Sequence, residues 1–430
     1  MIKKVNIAIV GFGNIGGYFY KTLEKNKKKI AIKTGKIPVV KYISARNLNK
    51  KRKINIPKSK WVKKPISLIH KKDVDIIIEL IGGSDGMAKK LVLGALKNKK
   101  HVITANKALI AKHGDQLAFF AEKNKVNLEY EASVAGGIPI IRSIKEGLIA
   151  NKINRIYGIL NGTTNYILST MEKTNNNFNN VLNKAKVLGF AESNPISDLN
   201  GDDAAAKIKI LSSLAFNKKI SKNKILVEGI QSINLTDIMH ANNLGYKIKL
   251  LAISEIRNNF LIERVHPCLV LNNSHIAKIN GVLNAVITDG YPVGRSMLQG
   301  EGAGPGPTSS SLISDLCSIL RGNIKYPFGA SFHKRKRIKN FDISKLKCSS
   351  YLRIEVKDQP GVLSSITKIF TKNKISIKNL IQTPNKKNKM ASIVIITHES
   401  VERNFKSLIL NLIKNKFVAK KPTFIRIEKV

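Results

Sequence analysis

The chain has 430 residues, enough for two or three domains, and its 43% hydrophobic and 24% charged content is ordinary for a globular protein. No apolar run approaches the roughly 18 residues a spanning helix needs, so no membrane role is expected. A formal net charge of +47 points first to nucleic acid, but the lysines are spread along the whole chain, with no long basic block and no interleaved aromatics. A biased, AT-rich genome would produce such a Lys/Ile/Asn excess, and nucleic acid is not expected as a partner. Cys268, Cys317 and Cys348 are widely spaced and form no metal or redox pattern, which fits a reducing compartment, by default the cytoplasm.

The opening "MIKKVNIAIVGFGNIGG" has the basic start and apolar run of a signal peptide but no small-residue cleavage site, and it reads as mature structure. Strands are predicted at 5–10, 38–44, 74–80, 101–105 and 126–132. Helices fall between them, among them 86–98 and 107–124. This alternation is the mark of a parallel sheet. Gly11, Gly13 and Gly16 follow the first strand and open a helix, and with Phe12, Asn14 and Ile15 they form a GxGxxG loop. Here the loop reads as a dinucleotide site, with backbone close to pyrophosphate at a helix N-terminus. A glycine turn without ligand is the alternative. The second strand ends in "ISARNLNKKRK", with no acid for a ribose hydroxyl but with Arg46 and then Lys50, Lys51, Arg52 and Lys53. A guanidinium suits a 2′-phosphate, so NADP(H) is the preferred cofactor and NAD(H) the alternative. The later lysines read equally well as a solvated loop.

From about 135 the pattern changes. Strands at 152–160 and 225–233 flank long helical stretches. "GEGAGPGPTSSS" at 300–311 leads into the apolar helix "LISDLCSIL", and "HKRKRIKN" at 333–340 reads as a linker. The last 80 residues run strand, helix, strand, strand, helix, strand, the ferredoxin-like order. The fold expected is α/β. A Rossmann dinucleotide-binding domain spans 1–133, completed by a helix near 308–322. An α+β catalytic and dimerisation domain spans 134–325, a linker 326–349 and a βαββαβ unit 350–430.

The stretch "LGFAESNPISDLNGDDAAAKIKI" at 188–210 gathers Glu192, Asp198, Asp202 and Asp203 in a strongly basic chain. A helix over 202–216 puts Asp203, Lys207, Ile210 and Leu214 at i, i+4, i+7 and i+11, so the pair extends a core-facing stripe towards the helix N-terminus. Two readings remain open there: a cleft-facing Asp/Lys pair, or an ordinary i,i+4 ion pair. Several acids around one lysine suit a substrate with an ammonium group and would keep that lysine charged.

With these residues the chain resembles the homoserine dehydrogenase family. Its signature is matched by Ala185, Gly189, Phe190, Ala191, Asn194, Pro195, Asp198, Leu199, Gly201, Asp203 and Lys207, and "TANKALIAKHG", "EASVAGGIPII" and "LNGTTNYIL" agree. The resemblance implies reversible reduction of L-aspartate 4-semialdehyde to L-homoserine by NADPH or NADH, within threonine, methionine and isoleucine biosynthesis. It implies Lys207 as proton donor, Lys107 as a second active-site lysine, and Glu192, Asp198 and Asp203 around the substrate. Thr104, Lys107, Gly189 and Gly304 would lie by the cofactor. Glu131 with the carbonyls of Val134, Gly136 and Ile138 would surround sodium. The "VKDQPGVLSSI" unit resembles ACT-type regulatory domains, with threonine as effector at Asp358, Pro360 and Gly361; a helix cap in a dimerisation module is the alternative. A homodimer or homotetramer is implied. No aspartate kinase region precedes the glycine loop, so a monofunctional form is expected. A cofactor-binding amino-acid sensor without turnover is the competing reading.

Overall fold

The computed structural model describes residues 2–48, 52, 54–322, 325–385 and 389–430. Lys50, Lys51 and Lys53 of the basic loop lie outside them. Strands β1 (Lys3–Val10), β2 (Lys36–Ser44), β3 (Ile76–Glu79), β4 (His101–Thr104) and β5 (Leu128–Glu129) form a parallel sheet in the order β2-β1-β3-β4-β5. Its apolar runs are buried on both faces. Ile7, Ile9, Ile76 and Ile78 face Phe19 and Leu23 of helix Asn14–Thr34 and Leu312 and Leu316 of helix Pro305–Leu320. Ala8, Val10, Ile77 and Val102 face helices Met87–Lys97 and Lys107–Lys123. A helix from far along the chain thus covers the dinucleotide sheet.

The second sheet is largely antiparallel. It contains β6 (Lys152–Ile159), β7 (Leu226–Val227), β8 (Tyr246–Arg257), β9 (Phe260–Leu271), β10 (Leu283–Tyr291) and β11 (Gly294–Glu301), and it continues into β12 (Lys347–Lys357), β13 (Ile377–Asn385), β14 (Met390–Thr397), β15 (Ser400–Val401) and β16 (Thr423–Ile427). The C-terminal part has the order β16-β12-β14-β13, with helices Val362–Lys372 and Glu402–Ile413, as the ferredoxin-like reading expects. It joins the rest edge to edge, because β16 pairs in parallel with β9.

Several expectations are corrected. The strand at 126–132 is short, because the Glu131 N–H leaves the sheet for Asp315 Oδ2, 2.9 Å away, and Glu131–Ser133 turns. The strand at 225–233 pairs only at Leu226–Val227: after a last bond from Glu228 N to Val265 O, the Ile230 N–H turns to Leu199 O. The stretch 246–301 is four strands that periodicity did not expose; Asn258 and Asn259, both at positive φ, make the tight turn between β8 and β9. The apolar helix starts at Pro305, inside the Gly/Pro passage. The expected linker at 333–340 exposes most of its side chains but buries one. Arg335 is 2% exposed, donates to Asp115 and Ser213, and stacks 4.1 Å over Phe328. Packing decides this position: a guanidinium with a carboxylate and an aromatic face is stable in a place where local charge suggests solvent.

Candidate active site

Between the two sheets lies a cleft of about 610 Å³, room for a small substrate beside one end of a cofactor. The carboxyl ends of the parallel strands open onto it. At the end of β1 the glycine loop meets helix Asn14–Thr34, whose N-terminus has no side-chain cap and no acid in its first turn. Gly16 is there because a Cβ would stand 2.4 Å from the Gly11 carbonyl oxygen. At Gly13 a Cβ would meet nothing within 4 Å. That combination of close packing on one side and open backbone on the other suits a pyrophosphate. Ile15 lines the cleft. Phe12 is buried, edge-on to Trp61 and Tyr20, so only its backbone is available.

Helix Asp202–Ala215 is led by Gly201 at φ 89° and carries Asp203 and Lys207 on its buried face. Asp203 Oδ2 is 2.7 Å from Lys207 Nζ, and Oδ1 is 3.0 Å from Lys107 Nζ, which arrives from the other sheet at the start of helix Lys107–Lys123. Both readings of the Asp/Lys pair therefore hold: it is an i,i+4 ion pair, and it faces the cleft. Asn161 caps helix Gly162–Thr174 with its Oδ1 and donates from Nδ2 to Asp198 Oδ1 at 2.8 Å and to Asp203 Oδ2 at 3.0 Å. Thr163 adds a hydrogen bond to Asp198 Oδ2 at 3.3 Å. Burial alone would raise Asp203, but Lys207 and Lys107 outweigh it and hold the carboxyl well below its usual range. Asp198 is raised, by burial and then by the charge of Asp203. Burial opposes the Lys107 charge, yet Asp203, Asp198 and Glu192 together raise its pKa. The expected group of acids is there, and it faces two lysines, with Asp203 bound between them.

The other predicted residues fall variously. Glu192, Asp198, Gly189 and Gly304 line the cleft. Thr104 does not: its hydroxyl is fully buried and donates to Glu79 Oε2 at 2.6 Å. Arg46 is exposed just beyond β2. Arg52 folds back, donating to the Phe12 carbonyl at 3.4 Å and lying 4.9 Å over Trp61. Glu131 is buried; its two oxygens accept from Ile141 N and Arg142 N, each at 2.8 Å. Gly136 lines the cleft, and its carbonyl accepts from Ser311. Asp358, Pro360 and Gly361 turn at the start of helix Val362–Lys372, away from the cleft. Asn161 and Thr163 were legible only as part of "LNGTT", where an Asn between strand and helix signals a cap.

Comparison with known proteins adds the decisive observation. Family models described as "Homoserine dehydrogenase, NAD binding domain", "Homoserine dehydrogenase" and "ACT domain" match residues 11–131, 139–317 and 350–413. A homoserine dehydrogenase of Neisseria gonorrhoeae is 38% identical over 99% of both chains. The chain belongs to the homoserine dehydrogenase family. A Bacillus subtilis homoserine dehydrogenase is 36% identical, over 96% of this chain and 95% of its own. The crystal structure of a homoserine dehydrogenase from Thiobacillus denitrificans superposes with a TM-score of 0.90 at 34% identity, covering 99% of this chain and 98% of that one. The α/β fold with an ACT domain and the nicotinamide-dependent oxidoreductase class follow from this membership. Among the described residues no helix is long and apolar enough to cross a membrane.

Proposed function

We infer that this homoserine dehydrogenase reduces L-aspartate 4-semialdehyde reversibly to L-homoserine, with NADP(H) preferred over NAD(H). The observation that carries the reading is Asp203 held between Lys207 and Lys107 at the cleft. The nicotinamide cofactor would supply hydride to the carbonyl carbon. The carbonyl oxygen then needs a proton or a positive charge. An ammonium has three N–H groups. Lys207 spends one on Asp203 and one on the Leu160 carbonyl, 2.7 Å away, and can aim the third at the substrate oxygen. Ionised Asp203 keeps that ammonium oriented, and Lys107 supplies a second charge from the cofactor side. Glu192, exposed at the rim, and Asp198 suit the substrate ammonium.

Arg46 supports the 2′-phosphate preference. Glu131 with the carbonyls of Val134, Gly136 and Ile138 is proposed as a sodium site, because carboxylate and carbonyl oxygens suit a hard cation. The turn at Asp358–Gly361 suits an amino-acid carboxylate, with threonine as the proposed effector. A homodimer or homotetramer is proposed because β11 ends the sheet with half-buried Met297 and Leu298. The three free cysteines suit the cytoplasm.

The test is NADP⁺ reduction by L-homoserine at alkaline pH, beside NAD⁺ and beside Lys207→Ala. Turnover lost in the variant supports the reading. Dinucleotide binding without turnover in the wild-type protein favours the sensor instead.

A further inference from the structure

The last strand of the ACT-type unit reaches the substrate loop through the segment 228–230. Arg426, on β16, is 3% exposed. Its Nη1 and Nη2 donate to Glu228 Oε2 at 2.7 Å and Oε1 at 3.0 Å, a bidentate pair, and its guanidinium also binds Glu402. Glu228 directly follows β7, and its N–H is tied to Val265 O of β9 at 2.8 Å. Two residues on, Ile230 N donates to Leu199 O at 3.0 Å. Between them, Gly229 presses on the same loop: a Cβ there would stand 2.1 Å from Leu199 O and 2.8 Å from Asn200 Cα. Leu199 and Asn200 lie between Asp198 and the Gly201 that starts the Asp203/Lys207 helix. The segment 226–230 is therefore wedged between the sheet and the loop that carries the substrate-facing acids, and Arg426 holds it from the C-terminal side.

A neighbouring cluster gives no simpler use for these charges. His266, Cys268 and Glu428 converge within 4.8 Å. Glu428 is already bound by Arg264 and Arg155, and burial together with Arg426 and Arg264 holds His266 neutral. These guanidinium charges oppose a cation.

We propose that Arg426 and Glu228 are positioning residues for catalysis: through the backbone at 229–230 they fix the loop 192–201, so that part of the substrate site depends on the C-terminal unit. This rests on the reading that 192–207 binds substrate. The dinucleotide loop lies on the other sheet and has no part in these contacts.

The experiment measures steady-state homoserine oxidation by the full-length protein, with separate KM values for homoserine and NADP⁺, in Glu228→Gln, Arg426→Gln and the double variant. Each single change is expected to raise the homoserine KM about fivefold or more and leave the NADP⁺ KM unchanged. The double variant is expected to match the larger single effect, since the two act through one contact. A merely structural role would lower the active fraction, and so kcat, at unchanged KM. Should Arg426→Gln not fold, Glu228→Gln carries the test, because that side chain is 38% exposed. Wild-type homoserine KM in folded variants, equal changes in both KM values, or additive effects overturn the proposal. If Lys207→Ala is inactive while Glu228→Gln keeps its KM, the coupling alone fails. If Lys207→Ala retains full turnover, the substrate-site reading fails and takes the coupling with it.

Discussion

The two halves of the cleft are built by different means. The dinucleotide half uses backbone: a strand end, three glycines and an uncapped helix N-terminus. All of it lies within a few residues of sequence. The substrate half uses side-chain charge drawn from separate elements. Lys107 comes from the first sheet's helices, Asn161 from a strand end, Asp203 and Lys207 from a later helix. The backbone half needs little electrostatic support. The charged half needs all its members, because a buried carboxylate without its lysines would be neutral.

Losing Lys207 should break this contrast most visibly. Lys207→Ala is expected to lower kcat about 10²–10⁴-fold and leave dinucleotide affinity intact, read by steady-state kinetics and cofactor titration. Near-wild-type turnover would remove Lys207 from the chemistry.

Next in size is Glu131, buried just beyond β5. Burial lifts it from 4.5 to about 7, although the N–H groups of Arg142 and Ile141 and the charges of Arg142 and Lys145 pull the other way. Between about 4.5 and 7 the folded protein keeps a proton that the unfolded chain has released. Stability should therefore fall as pH rises through that window, by about 3 kcal/mol for this group. Bound sodium favours the ionised form and should flatten the fall. Tm against pH in sodium chloride and in choline chloride checks this. Glu131→Gln should lack both the slope and the sodium effect, and a slope indifferent to sodium would take Glu131 out of the cation site.

On the backbone side, Arg46→Ala should lower the NADP⁺/NAD⁺ ratio of kcat/KM about tenfold. An unchanged ratio would turn attention to Arg52, already held against Phe12 and Trp61. The smallest effect is regulatory. Asp358→Ala should relieve threonine inhibition, measured as a shift in the inhibitor midpoint; an unmoved midpoint relocates the effector site. A point change is sharper than removing 350–430, since truncation also removes β16 and Arg426 from the sheet and its contacts.

The sequence by itself determined what local rules govern. The glycine loop, the parallel-sheet alternation, the Asp203/Lys207 spacing and the C-terminal βαββαβ order all depend on neighbours within a strand or a helical turn. Even the acids of 188–210 were visible as a local departure from a basic background. Tertiary structure decided the rest. It brought Lys107 onto Asp203, turned Thr104 inward, buried Arg335 in a stretch whose charge suggests a linker, and joined β16 to β9. It also shortened two expected strands, because distant partners took their backbone groups. The physical reason is common to these cases. A hydrogen bond or ion pair between residues on separate elements, here from 25 to more than 200 positions apart, leaves no periodic trace in the chain, and its strength comes from burial that only the completed fold provides.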